Sequence, residues 1–188
     1  MSIAPYWYDV NDNKKTWTNK QIVQRSCGKF RREWETSSMK EKSYTPENYP
    51  ILRYGDVLLM LAEAENEAHQ GPTDLAYECI NEIRQRAGIS KLEGLSYTDF
   101  QQAVRDERAR ELCFESLRKY DLVRWGIYVE AVHDKLGAAT QDKRWATGNQ
   151  FIGARDYAAR TQEKHQFLPI PTKELDVNGK LEQNKYWQ

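Results

Sequence analysis

The sequence predicts a mainly α-helical fold, built on helical hairpins of tetratricopeptide size with long irregular loops. Three observations carry this expectation. Apolar residues recur at helical spacing through 52–70, 74–87 and 98–120. Gly71-Pro72 and Gly88 fall just past the first two stretches, where helices stop. Residues 1–50 show no helical period.

Residues 1–50 are rich in Asn, Lys, Tyr and Trp, and Pro46 and Pro50 bound their end. They read as loops with a short strand at Lys29–Trp34. An irregular stretch of this length is uncommon inside a compact domain and resembles a segment cut from a larger fold. The expected division is therefore a loop-rich segment 1–50 and a helical domain 51–188. In the helix over Leu52–His69, Val57 to Ala62 surround the axis with apolar groups, which predicts a largely buried helix. Thr73 or Asp74 caps a second helix running to Ala87. Its Leu75, Ala76, Cys79, Ile80, Ile83 and Ala87 share one face, and Tyr77, Glu78, Asn81 and Gln85 the other. Helix, turn and helix together have the size of one tetratricopeptide unit, and a single unit leaves a face uncovered.

A third helix lies within Ser96–Gly126, opened by a capping box at Thr98-Asp99-Phe100-Gln101. A short helix over Ile127–Leu136 follows. Residues 137–166 read as loop, broken by Gly137, Gly148 and Gly153, with a turn at Gly153-Ala-Arg-Asp156. Phe167-Leu-Pro-Ile-Pro-Thr172 is extended, because a residue before proline is pushed out of the helical region. Thr172 caps one turn at Lys173–Asp176.

The 188 residues suit one domain or a large piece of a bigger one. Apolar residues at 39% and charged residues at 30% are ordinary for a soluble chain. Lys+Arg and Asp+Glu balance at 28 each, which argues against nucleic acid as the main partner. Cys27, Cys79 and Cys113 are odd in number and lack C-x-x-C spacing, so no disulfide framework is expected. Cys79 and Cys113 read as small buried apolar groups. Cys27 follows polar Gln24-Arg25-Ser26 and does not read as a lipid-attachment site. Met1–Lys20 is polar and aromatic, unlike a signal peptide, and the longest apolar run is too short to span a bilayer.

Between Glu107 and Gly126 runs a ladder of glutamates and arginines. Arg108, Glu111, Glu115 and Arg118 recur at helical spacing and share one face, bracketed by Phe100, Val104, Leu112 and Phe114. The stripe is either a solvated face with surface ion pairs or a partly buried network, and buried charges persist only when paired. A glycosidase pair needs a cleft between its carboxylates. Glu111 and Glu115 instead lie on one helix face among arginines.

Four segments together resemble the SusD/RagB family, the cell-surface nutrient-binding lipoproteins of glycan-degrading Gram-negative bacteria. Pro50-Ile-Leu-Arg-Tyr-Gly-Asp-Val-Leu-Leu-Met-Leu-Ala-Glu-Ala64 is similar to the family's RYADVLLMYAEA helix, with Gly55 where alanine is usual and Leu61 where tyrosine is usual. Asn81-Glu-Ile-Arg-Gln-Arg-Ala-Gly88 resembles a helix end of the form N-x-hydrophobic-R-x-R-A-G. The ladder follows, with Ser116 replacing a usual glycine. Phe167-Leu-Pro-Ile-Pro-Thr-Lys-Glu-Leu175 and Gln183-Asn184 resemble the closing LLPIP…EL…QN, with Gly179 and Lys185 where prolines are common. The match runs in order from Lys29 to Tyr186.

The resemblance implies a fragment of a larger SusD-like fold, from the C-terminal portion of the parent protein. It implies a non-enzymatic protein exposed at the outer-membrane surface on a lipid anchor that lies outside this chain. Such a protein binds a glycan or similar nutrient and delivers it to a TonB-dependent outer-membrane transporter. The alternative is a helical-repeat protein–protein interaction module without glycan binding. The signature segments are scaffold in the family and name no ligand.

Sugars bind by stacking their C–H faces on aromatic rings and by hydrogen bonds to their hydroxyls. Tyr6, Trp7, Tyr8, Trp17, Trp145 with Asn149, and Trp187 are aromatic or amide residues in polar, loop-like context. Trp7 and Trp17, with Asn11 and Asn13 between them, are the preferred pair, and Trp125 reads as scaffold. His69, His133 and His165 have no metal-ligand spacing, and no cofactor motif is present, so neither metal nor cofactor is expected.

Overall fold

The computed structural model of the chain describes residues 6–9, 11, 13–18, 25, 27–36, 46, 48–140 and 149–188. Helix is the dominant regular structure among them. The described residues up to Trp17 and from Arg25 to Arg118 form one compact unit, and Thr18 with those from Lys119 to Gln188 forms a second.

The first unit is built on α1 (Tyr54–His69), α2 (Asp74–Arg86) and α3 (Tyr97–Glu111). Helix α1 ends at Gln70, whose φ of 51° is left-handed, and the Gly71 N–H returns to the Asn66 carbonyl at 3.1 Å. Thr73 then caps α2, its Oγ1 accepting the Ala76 N–H at 3.1 Å. At the other end Gly88 adopts φ +72°, which lets the Ile89 N–H reach the Arg84 carbonyl at 3.0 Å. The chain to α3 is pinned by Asn81, whose side chain donates to the Leu92 carbonyl at 3.0 Å and accepts the Leu92 N–H at 2.8 Å.

The core of this unit joins Leu58, Leu59 and Ala62 of α1 to Ala76, Cys79, Ile80 and Ile83 of α2 and to Phe100 and Val104 of α3. These positions recur at three and four residues, so each helix offers one stripe. Sequence patterning predicted a largely buried α1. Instead Val57, Met60 and Leu61 are exposed, because within this unit α2 and α3 cover only one side of that helix.

Further expectations change. The capping residue of α3 is Ser96, which accepts the Asp99 N–H at 3.2 Å, rather than Thr98. The helix stops at Glu111, and Phe114 and Ser116 take left-handed φ values of 66° and 61°. Lys29–Trp34 is not a strand; Arg32–Trp34 is a single 3-10 turn. The described sheet is a hairpin of β1 (Tyr6–Tyr8) and β2 (Lys14–Thr16), antiparallel with Trp7 opposite Lys15. Asp9 closes it, its Oδ1 accepting the N–H groups of Asn11 at 2.9 Å and Asn13 at 3.0 Å.

The second unit takes up α4 (Arg118–Arg124) from Lys119 onward. Helix α5 (Tyr128–Ala131) continues through a π-helical stretch, Val132–Gly137, into α6 (Ala138–Thr140). Residues 149–160, expected as loop, form α7 (Asn149–Arg160), with Gly153 inside the helix rather than in a turn. A 3-10 turn at Glu163–Gln166, helix α8 (Thr172–Val177) and a last 3-10 turn at Lys185–Trp187 complete it. Leu122, Tyr128, Val132 and Ala158 form its core, with Trp125 partly buried against them.

Gln183 holds the proline-rich segment by both edges. It donates to the Ile170 carbonyl at 2.9 Å and accepts the Ile170 N–H at 2.8 Å. Asn184 donates to the Leu168 carbonyl at 2.6 Å.

Candidate functional site

The glutamate–arginine ladder pairs outward, with elements far away in sequence. Arg108 of α3 donates to Asp56, in the first turn of α1, at 2.8 Å, and both side chains are buried. Arg84 of α2 meets buried Glu107 at 2.8 Å. Arg53 spans two carboxylates, with Nη1 on Glu111 at 2.5 Å and Nε on Glu115 at 2.7 Å. Arg86 adds a second cation to Glu111, and Lys29 adds one to Glu115.

Burial alone would raise the Glu111 carboxyl, but hydrogen bonds from Arg86 and Arg53 outweigh it and hold it below the usual range. Glu115 is likewise raised by burial and lowered further by Arg53 and Lys29, for a net lowering. Arg118 is exposed and donates to the Arg105 carbonyl at 3.1 Å. Phe114 is exposed and does not cover the stripe. A methyl group on Gly55 would lie 2.8 Å from Arg53 Nη1 and 3.2 Å from Glu111 Oε1, so an alanine there would require the ends of these two side chains to shift. A cavity of about 670 Å³ opens beside this cluster, with Phe30 and Trp34 on its rim.

The hairpin gathers four aromatic candidates. The Trp7 and Trp17 rings stand 5.7 Å apart at a tilt of 34°. Both are half-buried, and neither indole N–H has a hydrogen-bond partner among the described residues. A buried donor without a partner costs about 1–3 kcal/mol. Tyr6 and Tyr8 turn their hydroxyls to Glu33, at 2.8 Å and 3.5 Å. The Lys14 ammonium and the Arg31 guanidinium lie 3.8 Å and 4.2 Å from the Tyr6 ring centroid. The hydrogen bond to Glu33 and burial raise the Tyr6 pKa.

Trp145 lies outside the described residues. Asn149 opens α7 in the second unit, and its pairing with Trp145 falls outside the described residues. That unit holds a cavity of about 480 Å³, walled by Tyr128, Tyr157, His165, Phe167 and Trp187. Trp187 donates its indole N–H to the Lys164 and Phe167 carbonyls, both at 3.0 Å, so the ring is locked in place. The sequence marked Trp187 as aromatic in polar context but missed Tyr128 and Tyr157, whose hydroxyls meet. Treating 137–166 as loop hid the helix that carries Tyr157.

His69 contacts the Glu65 carbonyl, His133 donates Nε2–H to the Thr161 carbonyl, and His165 accepts the Gln162 N–H on Nδ1. Among the described residues no group of three or more His, Cys, Asp or Glu side chains is placed to hold a metal ion. No described helix is long and apolar enough to cross a membrane.

The family model of the SusD family matches residues 4–187. This chain belongs to the SusD family. Curated relatives of this SusD-family chain include SusD-like protein P25 of Formosa agariphila, 40% identical over 139 residues. SusD-like protein P2 of the same organism is 29% identical over 148 residues. The matches cover 72% and 73% of this chain but only 23% and 25% of those proteins. A solved SusD homolog from Bacteroides thetaiotaomicron matches 97% of this chain with a TM-score of 0.76 at 31% identity, over 39% of its own length. A SusD superfamily protein from Bacteroides vulgatus matches 78% of the chain with a TM-score of 0.56 at 30% identity, over 29% of its own length. The mainly helical architecture, as a part of a larger SusD-like fold, follows from these matches.

Proposed function

We propose that this chain is part of a non-catalytic glycan- or nutrient-binding protein of the bacterial cell surface, which passes its ligand to a TonB-dependent outer-membrane transporter. A lipid anchor in the whole protein would hold it at the outer membrane. The observation that carries the reading is the SusD-family match across 4–187. Two features of the site support it. Glu107, Glu111 and Glu115 are engaged by arginine or lysine, so none is poised as a general acid. The Trp7 and Trp17 rings, 5.7 Å apart and each only half-buried, leave aromatic surface on which the C–H face of a sugar would stack.

Trp7 and Trp17 carry the contact in this proposal. Tyr6 and Tyr8 hold the hairpin through Glu33. Arg108, Glu111, Glu115 and Arg118 serve the scaffold.

The test is an oligosaccharide array probed with this chain, with its Trp7→Ala/Trp17→Ala variant and with the whole protein. Binding that falls in the variant, with no turnover of the bound sugar, is the expected result. Hydrolysis abolished by replacing one carboxylate would overturn the non-catalytic reading. Undiminished binding by the variant would remove the two indoles from the site. The exposed Tyr54, Val57, Met60 and Leu61 of α1 favour the second reading, a helical-repeat surface for a protein partner. Absence of any sugar binding by the whole protein would leave that reading standing.

A further inference from the structure

We propose that the cavity of the second unit is a separate subsite for an anionic substituent of a glycan, a carboxylate or a sulfate ester. The proposal rests on the glycan-capture reading and assigns that ligand a chemical class.

The cavity, about 480 Å³, is within the range of small-ligand sites. Its floor is the buried Tyr128, and Tyr157 and Phe167 stand half-exposed at its walls. Half-exposed rings on a preformed wall are surfaces on which the C–H face of a pyranose stacks. Tyr157 is held in place by its hydroxyl contact with Tyr128, and Trp187 by its two carbonyl acceptors. Little side-chain freedom is lost when a ligand enters such a site.

Charge decides the class. Lys119 and Arg160 both line the cavity, and neither has an ion-pair partner among the described residues. The Lys119 ammonium lies 5.5 Å from the Tyr128 ring centroid, above the floor. In the first unit, by contrast, Arg53, Arg84, Arg86 and Arg108 all face carboxylates. His165 has its Nδ1 engaged by the Gln162 N–H and therefore carries its proton on Nε2, one more donor on the same wall. Asp156 is the opposing charge, and it has Arg155 at 4.0 Å. The lining therefore holds two cations against one carboxylate that already has a cationic neighbour. A neutral sugar would leave both cations unused, whereas a uronate or a sulfated sugar would engage them while stacking on the rings.

Two matched pairs of probes test this against the 188-residue chain by two-dimensional NMR titration. One pair is trigalacturonic acid and its methyl ester; the other is a sulfated galactose trisaccharide and its desulfated form. The charged member of at least one pair should bind about fivefold more tightly at low salt, with the advantage shrinking in high salt. The Trp187 indole and His165 resonances should shift. The preferred pair identifies the anion as carboxylate or sulfate. In the Lys119→Gln/Arg160→Gln variant, both positions being exposed, the circular dichroism spectrum should be unchanged and the advantage lost. Equal binding within both pairs, an advantage that survives the substitutions, or no binding overturns the proposal. So does a glutamate-rich hexapeptide that displaces the glycan and binds more tightly. Neutral-sugar binding at the Trp7–Trp17 pair alone would sink this subsite and leave glycan capture intact.

Discussion

Replacing Asp56 by alanine should destabilise the first unit more than any other single ion-pair deletion in the cluster. Asp56 and Arg108 meet at 2.8 Å with side chains 9% and 5% exposed, so both charges have left water. Breaking such a pair from one side leaves the other charge buried and costs about 3–5 kcal/mol. Arg108 keeps a further interaction, which places the expected loss at the lower end, about 3 kcal/mol. Glu111→Ala should cost less, about 2 kcal/mol, because Arg53 retains Glu115 and the Arg86 side chain is 61% exposed. Asp106→Ala is the control. Its pair with Arg110 spans 3.8 Å with side chains 45% and 60% exposed, worth about 0.5 kcal/mol or less.

Urea unfolding, with hydrogen exchange of α1–α3 peptides to isolate the first unit, measures all three. Calorimetry should show a melting drop of about 10 °C for Asp56→Ala. The Asp56→Ala/Arg108→Met double variant should recover part of the loss, since neither charge is then stranded. If Asp56→Ala and Asp106→Ala unfold alike, the ladder is a solvated face and the argument from burial fails.

Three further outcomes follow from the same structure. Ser116→Gly should stabilise the chain by about 0.5–1 kcal/mol in urea, because Ser116 sits at φ +61°, where an L side chain is strained. Glu111 and Glu115 are held below their ordinary 4.5 when folded; the unfolded chain thus takes up their protons first, and their contribution is complete above pH 4.5 and lost as pH falls below it. Acid melts of Glu111→Gln should show a shallower fall in that window. Tyr128 is pushed up to about 12 by burial and by the Tyr157 hydroxyl, so the stability it contributes is complete below its ordinary 10.0 and fades as pH rises toward 12. Ultraviolet titration should show a phenol titrating late, at about 12, that moves earlier in Tyr157→Phe.

The α1–α2 hairpin was legible because its stripes, its Thr73 cap and its Gly88 stop are all local signals. The third helix misled because the spacing of Arg108, Glu111, Glu115 and Arg118 continues a helical period through a backbone that reverses at Phe114. Periodicity records side-chain type and is blind to a left-handed φ on a phenylalanine or serine. The β1–β2 hairpin was missed because three-residue strands closed by an Asp9 side chain carry too few residues to show alternation. Among the candidate rings, sequence could name Trp7 and Trp17 but not their mutual approach. Nor could it name the Glu33 contacts that engage Tyr6 and Tyr8, because those partners lie more than twenty residues away.

The recognisable segments of this chain turn out to be halves of the same contacts. Arg53 and Asp56 come from the first segment, Arg84 and Arg86 from the second, and Glu107, Arg108, Glu111 and Glu115 from the ladder. Five pairs among them join two segments: Arg53 with Glu111 and Glu115, Asp56 with Arg108, Arg84 with Glu107, Arg86 with Glu111. Gln183 and Asn184 do the same for Leu168 and Ile170 in the second unit. A buried pair tolerates change in neither partner alone, so such residues mark a fold wherever it is used. They therefore identify a SusD-family scaffold without naming a ligand, and Trp7, Trp17 and the cavity around Tyr157 are where the proposals above place one.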